Sequence, residues 1–246
     1  MREDLARQLQ TRLEGLKAAG VEWVARPTPG TFHLPTPKPE TPALDPNSSE
    51  GKRLSLQVVA SEVAACTKCR ELASTRTQTV FADGSPMAEI AFIGEAPGAD
   101  EDRTGIPFVG AAGQMLNRII AACGLKREEI FICNILRCRP PGNRTPKPDE
   151  CANCRPYLER TLEIVQPKII CCWGGVAAQN LLQTTTGITR LRGQFYTYRN
   201  IPVLCTFHPS ALLYEGGEAK KKDVWKDMKM LLAKIGRTVP EAKPKG

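Results

Sequence analysis

The densest chemistry in this chain lies at residues 94–113, GEAPGADEDRTGIPFVGAAG. The stretch follows an apolar run, AEIAFI at 88–93, and precedes a helix-like pattern at 114–123. Open α/β sheets place their active sites where a strand ends in a loop before a helix. Glycines allow backbone to approach a ligand closely, and Glu95, Asp100, Glu101 and Asp102 gather negative charge there. A phosphate cradle needs a Lys followed by Ser or Thr, which this loop lacks, so it is not a nucleotide-binding loop. It suits a small-molecule or base pocket with carboxylates facing a developing positive charge. A second set of reactive residues is the thiols. Cys66-Thr-Lys-Cys69 and Cys151-Ala-Asn-Cys154 are two CxxC pairs, and Cys138 sits in the polar loop Arg137-Cys138-Arg139-Pro140-Pro141. Their spacing alone suggests zinc or an iron–sulfur cluster, with more thiols than the four places to be filled. Cys123, Cys133, Cys171, Cys172 and Cys205 fall inside apolar runs and read as small core residues. Of the two histidines, His208 follows an apolar run and precedes Pro209, whereas His33 lies in a proline-rich stretch.

The elements that must position these groups follow from hydrophobic patterning. Apolar runs at 88–93, 130–135, 168–173 and 202–207 alternate with helical patterns near 54–65, 114–123, 149–165, 176–183 and 223–235. That alternation predicts an α/β fold with three αβα layers and a central, mainly parallel four-stranded sheet. Residues 1–26 carry an amphipathic helix with Leu5, Leu9, Leu13 and Leu16, stopped by Gly20, which could dock an unidentified protein partner. Residues 27–50 are a proline-rich linker, 51–236 the globular domain, and 237–246 a basic tail. The formal charge of +8 suits a polyanionic partner. Neither a membrane-length apolar run nor a secretory leader is visible, and ten cysteines without such a leader favour metal ligation over disulfides. A cytoplasmic monomer is expected.

Three segments together with the CTKC at 66–69 carry a specific resemblance: GEAPGADEDRTGIPFVGAAGQML (94–116), CNILRCRPPGNRTPKPDE (133–150) and FHPSALL (207–213). They resemble the family 4 uracil-DNA glycosylases, the thermostable iron–sulfur type. The resemblance implies a base-excision enzyme acting on uracil-containing DNA and a [4Fe-4S] cluster, with zinc as the alternative cofactor. It selects Cys66, Cys69, Cys138 and Cys154 as ligands, leaving Cys151 out. It also gives roles to the strand-end residues. Asn134 would read the uracil edge, accepting from N3–H and donating to O4, a pattern that cytosine reverses. Phe108 would stack on the flipped base, and the backbone of Glu95, Ala96 and Pro97 would lie along its edge. His208 would stabilise negative charge on O2, and Glu95 or Glu101 would hold the attacking water. Arg137, Arg139, Arg144, Lys147 and the run Lys220, Lys221 and Lys222 are candidates for phosphate contact, and residues 210–213 for a wedge. The chain departs from many relatives after the HPS motif, where Ala211 and Tyr214 replace an aromatic residue and an arginine. A glycosylase of broader damaged-base range and a non-catalytic, cluster-containing nucleic-acid-binding protein are the alternative readings.

Overall fold

In the computed structural model, residues 2–21, 45–214 and 217–239 are described. The chain divides into two units, Met1–Ala43 and Leu44–Gly246. In the first unit helix α1 spans Arg2–Ala18 and ends at Gly20, whose φ of +81° closes the terminus as the sequence predicts. Most of the proline-rich segment, including His33, and most of the basic tail lie outside the described residues.

The second unit is built on the four predicted apolar runs. They form β2 (Ile90–Gly94), β3 (Ile130–Asn134), β4 (Ile169–Trp173) and β6 (Ile201–Thr206), all mutually parallel. The sheet has six strands, not four. Short antiparallel strands β1 (Asp83–Gly84) and β5 (Phe195–Tyr198) close its edges, giving the order β1-β3-β2-β4-β6-β5. Strand β5 is half exposed, so it lacks the all-apolar signature of a doubly covered strand. It turns into β6 through Arg199 and Asn200, both at positive φ, as a two-residue hairpin requires.

Side-chain alternation along the strands explains the three layers. Ala91, Ile93, Phe131, Cys133, Ile170, Cys172, Val203 and Cys205 point to one face. There they meet helices α2 (Ser49–Ala64), α6 (Pro148–Val165) and α7 (Gly175–Leu182). The intervening Ile90, Phe92, Ile132, Cys171, Trp173 and Leu204 meet helices α5 (Ala111–Ala122) and α9 (Gly217–Lys234) on the other face. The five cysteines assigned to the core are all buried. Helix α9 begins six positions before the predicted 223, because its first turns are polar and leave no apolar periodicity to read. Three short helices escaped periodicity altogether: α3 (Arg70–Thr75), α4 (Ala99–Thr104) and α8 (Ile188–Leu191).

Candidate active site

The chain leaves β2 toward β3 on one side and returns past it to β4 on the other, so the strand order reverses beside β2. Ligands bind at such switch points, beyond the carboxyl ends of the strands. A cleft of about 470 Å³ opens there, lined by Glu95 after β2, Asn134 at the end of β3 and His208 after β6. Ala96, Pro97, Glu101 and Phe108 complete its wall, and Tyr214 stands at its margin, largely exposed. The structure therefore brings to one cleft the residues expected to face the base, the sugar or the water, but not Arg137, Arg139, Lys147 or the lysine run at 220–222.

Close backbone approach makes the inner wall. A Cβ on Gly94 would sit 2.3 Å from Asn134 Oδ1 and 2.4 Å from Phe108 Cζ, so only glycine fits. Asn134 is 1% exposed, and its Oδ1 has no hydrogen-bond partner. A buried acceptor left unpaired costs about 1–3 kcal/mol, and this oxygen keeps unspent acceptor capacity at the cleft wall. Phe108 is buried with φ +54°, an uncommon conformation for a bulky residue, and its ring centroid lies 5.8 Å from that of His208.

The histidine is held in one tautomer. The Ser210 N–H donates to His208 Nδ1 at 3.2 Å, and Ser210 Oγ lies 2.7 Å from the same nitrogen. Nδ1 is thus the acceptor, and Nε2 carries the proton. Burial pushes the imidazole pKa down to about 4, with Glu101 opposing weakly, so at neutral pH the ring is an uncharged donor. Ser210 was not singled out for this role by the sequence, though its place two residues after the histidine is a readable signal.

The two glutamates separate by environment. Glu101 caps α4: Oε2 accepts from Gly98 N–H at 3.0 Å, and Oε1 accepts from Val109 and Gly110 N–H at 2.8 and 2.9 Å. Its carboxylate shapes the loop that carries Phe108. The Glu95 carboxylate accepts no hydrogen bond from the described residues, and burial raises its pKa above the usual value. A carboxylate with unspent acceptor capacity beside the cleft is suited to holding a water.

The thiols form a second site. Cys66 and Cys69 lie between α2 and α3, Cys138 follows β3, and Cys154 lies on α6. Charge on Cys66 and Cys69 would act on Cys138, and charge on Cys69 and Cys138 would act on Cys154, which places all four at one corner. Cys151 lies one turn before Cys154 on α6 and is buried in the same cluster; charge on Glu150, Glu95, Asp149 and Cys69 would act on it. Cys138 is 7% exposed: although the loop around it is polar in sequence, the chain tucks the thiol against the core. Arg76 Nη1 donates to Cys138 Sγ at 3.0 Å, and Asn153 Nδ2 to Cys69 Sγ at 3.5 Å. Among the described residues no three His, Cys, Asp or Glu side chains converge on a single metal ion. Four thiols at one corner are a donor set suited to zinc or to an iron–sulfur cluster. Arg137 supports that fit. It is fully buried near Cys154, and its Nε and Nη2 have no partner, so a buried cation faces no carboxylate. A cluster with net negative charge would offset it.

A family model for the uracil DNA glycosylase superfamily matches residues 81–229, the sheet and every wall of the cleft. The chain belongs to that superfamily. It is 46% identical over 169 residues to the type-4 uracil-DNA glycosylase of Archaeoglobus fulgidus, covering 65% of this chain and 84% of that protein. To the type-4 enzyme of Thermotoga maritima it is 38% identical over 175 residues, 70% of this chain and 91% of that one. A type-5 uracil-DNA glycosylase of Pyrobaculum aerophilum is more distant, at 28% over 146 residues, 52% of this chain and 64% of that protein. Within the superfamily the chain groups with type 4.

For this glycosylase the expected phosphate contacts need one correction. Arg137 donates to Phe81 O at 2.6 Å, stacks on the Phe81 ring and is buried beyond reach of DNA. Arg144 and Lys147 both bond Glu71, and Arg144 also bonds Glu150, so their charge is largely spent on holding the loop to α3 and α6. Lys220, Lys221 and Lys222 are exposed at the start of α9, with Lys221 paired to Glu218.

Proposed function

We propose that this protein excises uracil from DNA by hydrolysing the N-glycosidic bond of deoxyuridine, leaving an abasic site, as in base-excision repair. The convergence of an orphaned buried acceptor, a neutral histidine donor and an unpaired carboxylate on one cleft carries this reading. Uracil in a duplex lies inside the stack and must be rotated out to be reached. In the cleft, Phe108 stacks on the ring and Asn134 Oδ1 accepts from N3–H, while its amide NH₂ donates to O4. Cytosine has no hydrogen at N3 and presents a donor at C4, so it leaves the Asn134 acceptor unpaired. Bond breaking sends the electron pair to the base. His208 Nε2–H donates to O2 as negative charge grows there, a contribution of about 3–4 kcal/mol for donors of this kind. A neutral donor stabilises that charge without giving up its proton. Glu95 holds the water and faces the cationic sugar. Glu101, its oxygens engaged by three backbone N–H groups, acts by shaping the loop.

Cys66, Cys69, Cys138 and Cys154 are the residues suited to a [4Fe-4S] cluster. Bound there, the group supplies a rigid joint between the α2–α3 loop, the segment after β3, and α6. The substrate is uracil-containing DNA, the site of action the cytoplasm, and the working form a monomer. No described helix is long and apolar enough to cross a membrane. The test is an end-labelled oligonucleotide with one uracil, treated with protein and then alkali. Scission at the uracil supports the reading; an intact strand overturns it.

A further inference from the structure

We infer that Arg127 is a positioning residue for the stacking ring, holding the Pro107–Phe108 turn in the conformation that presents Phe108 to the flipped base and thereby setting how tightly uracil is bound. The inference rests on the glycosylase reading above. Arg127 begins a short 3₁₀ turn, Arg127–Glu129, at the opposite end of β3 from Asn134. It does not line the cleft. Yet its guanidinium uses all three nitrogens. Nη2 donates to Pro107 O at 2.6 Å, and Nη1 donates to Phe108 O at 3.2 Å and to Asn117 Oδ1 at 2.8 Å. Nε donates to Asp83 Oδ2 at 2.8 Å.

Two successive carbonyls directed at one guanidinium fix the orientation of two successive peptide planes. The residue whose flanking planes are fixed is Phe108, and its φ is +54°. Non-glycine residues keep such conformations only where their surroundings over-determine them. The other constraint is Gly113 on α5, where a Cβ would lie 1.9 Å from Phe108 O. Thus α5 presses the peptide from one side, and Arg127 holds its oxygen from the other. Were Phe108 to relax to negative φ, its ring would leave the wall it shares with Asn134 and His208.

Asp83 and Asn117 complete the device. Asp83 belongs to the two-residue strand β1, and its carboxylate fixes the plane of the guanidinium through Nε. This gives the short edge strand a purpose: it brings a counter-charge to the residue that sets the base pocket. A lysine has three N–H donors on one nitrogen and no planar fork, so it could not serve all four of these acceptors together.

The test uses the full chain, with Arg127→Met, Arg127→Lys and Asp83→Asn compared with wild type. Thermal melting is recorded beside the dissociation constant of free uracil, by calorimetry, and kcat and KM on a uracil-containing oligonucleotide. Loss of an ordered base–aromatic stack is expected to weaken free uracil about tenfold in Arg127→Met. The effect should be smaller in Arg127→Lys and smallest in Asp83→Asn, and larger on KM than on kcat. A purely structural clamp would lower the melting temperature and leave uracil affinity untouched. A folded Arg127→Met variant that binds free uracil like wild type therefore overturns the inference. If Arg127→Met does not fold, Asp83→Asn decides by the same criterion, since it removes only the orienting charge. A wild-type protein that binds uracil but releases none from DNA would overturn the glycosylase reading instead, leaving the clamp supported or refuted by the binding series.

Discussion

Replacing Gly94 by alanine places a methyl group against both base-contacting side chains. Its carbon would lie 2.3 Å from Asn134 Oδ1 and 2.4 and 2.6 Å from two Phe108 ring carbons, where ordinary contact begins at 3.4 Å. The amide and the ring must each retreat by roughly 1 Å, and a misplacement of that size costs on the order of 100-fold in rate. Overpacking a buried site of this kind lowers stability by about 1–3 kcal/mol, so the fold should survive. The assay is the initial rate of uracil release from a labelled oligonucleotide, with a melting curve for each variant. Gly187→Ala is the control, because nothing lies within 4 Å of its Cβ position. It should match wild type. A folded Gly94→Ala that works within about threefold of wild type, well short of the 100-fold loss, would show that the wall is plastic and refute the reasoning.

The acid limb of kcat/KM should belong to Glu95. Its carboxylate is needed ionised and its pKa is raised by burial, so the rate falls as pH drops through that raised value, while His208 stays neutral down to about 4. His208→Ala should therefore lower the rate at least about tenfold at every pH and leave the limb in place; Glu95→Gln should abolish the limb, and a limb that moves with His208 refutes the assignment. The same histidine makes the fold acid-sensitive. The unfolded chain protonates it near 6.5 and the folded one only near 4, so stability falls between those values by a total of about 3 kcal/mol. His208→Ala should flatten that part of a melting-temperature-against-pH profile. At the thiol corner, Cys138→Ser should lose iron and sulfide on chemical analysis and Cys151→Ser should retain both; the reverse would exchange the two ligands.

The central strands were legible because a strand covered on both faces must be apolar throughout, which Ile90–Gly94 and Ile169–Trp173 are. The edge strands were not. Phe195 and Thr197 of β5 are exposed, and two residues at Asp83–Gly84 have no period. The cleft residues were readable from their motifs at strand ends, but the ranking of Glu95 and Glu101 was not. It depends on three N–H groups, two of them eight and nine residues away, that meet Glu101 only after folding. Arg137 reads as a loop cation among polar neighbours. Its burial comes from Phe81, 56 residues earlier, a contact no local pattern announces.

Glu95, Asn134 and His208 each hang from a different strand, and the groups between them span most of the sheet. A fragment that lacks any one of these strands therefore loses one of the three groups. A copy whose last parallel strand has not docked lacks His208 at the cleft, so loss of turnover on heating should track loss of tertiary structure rather than precede it.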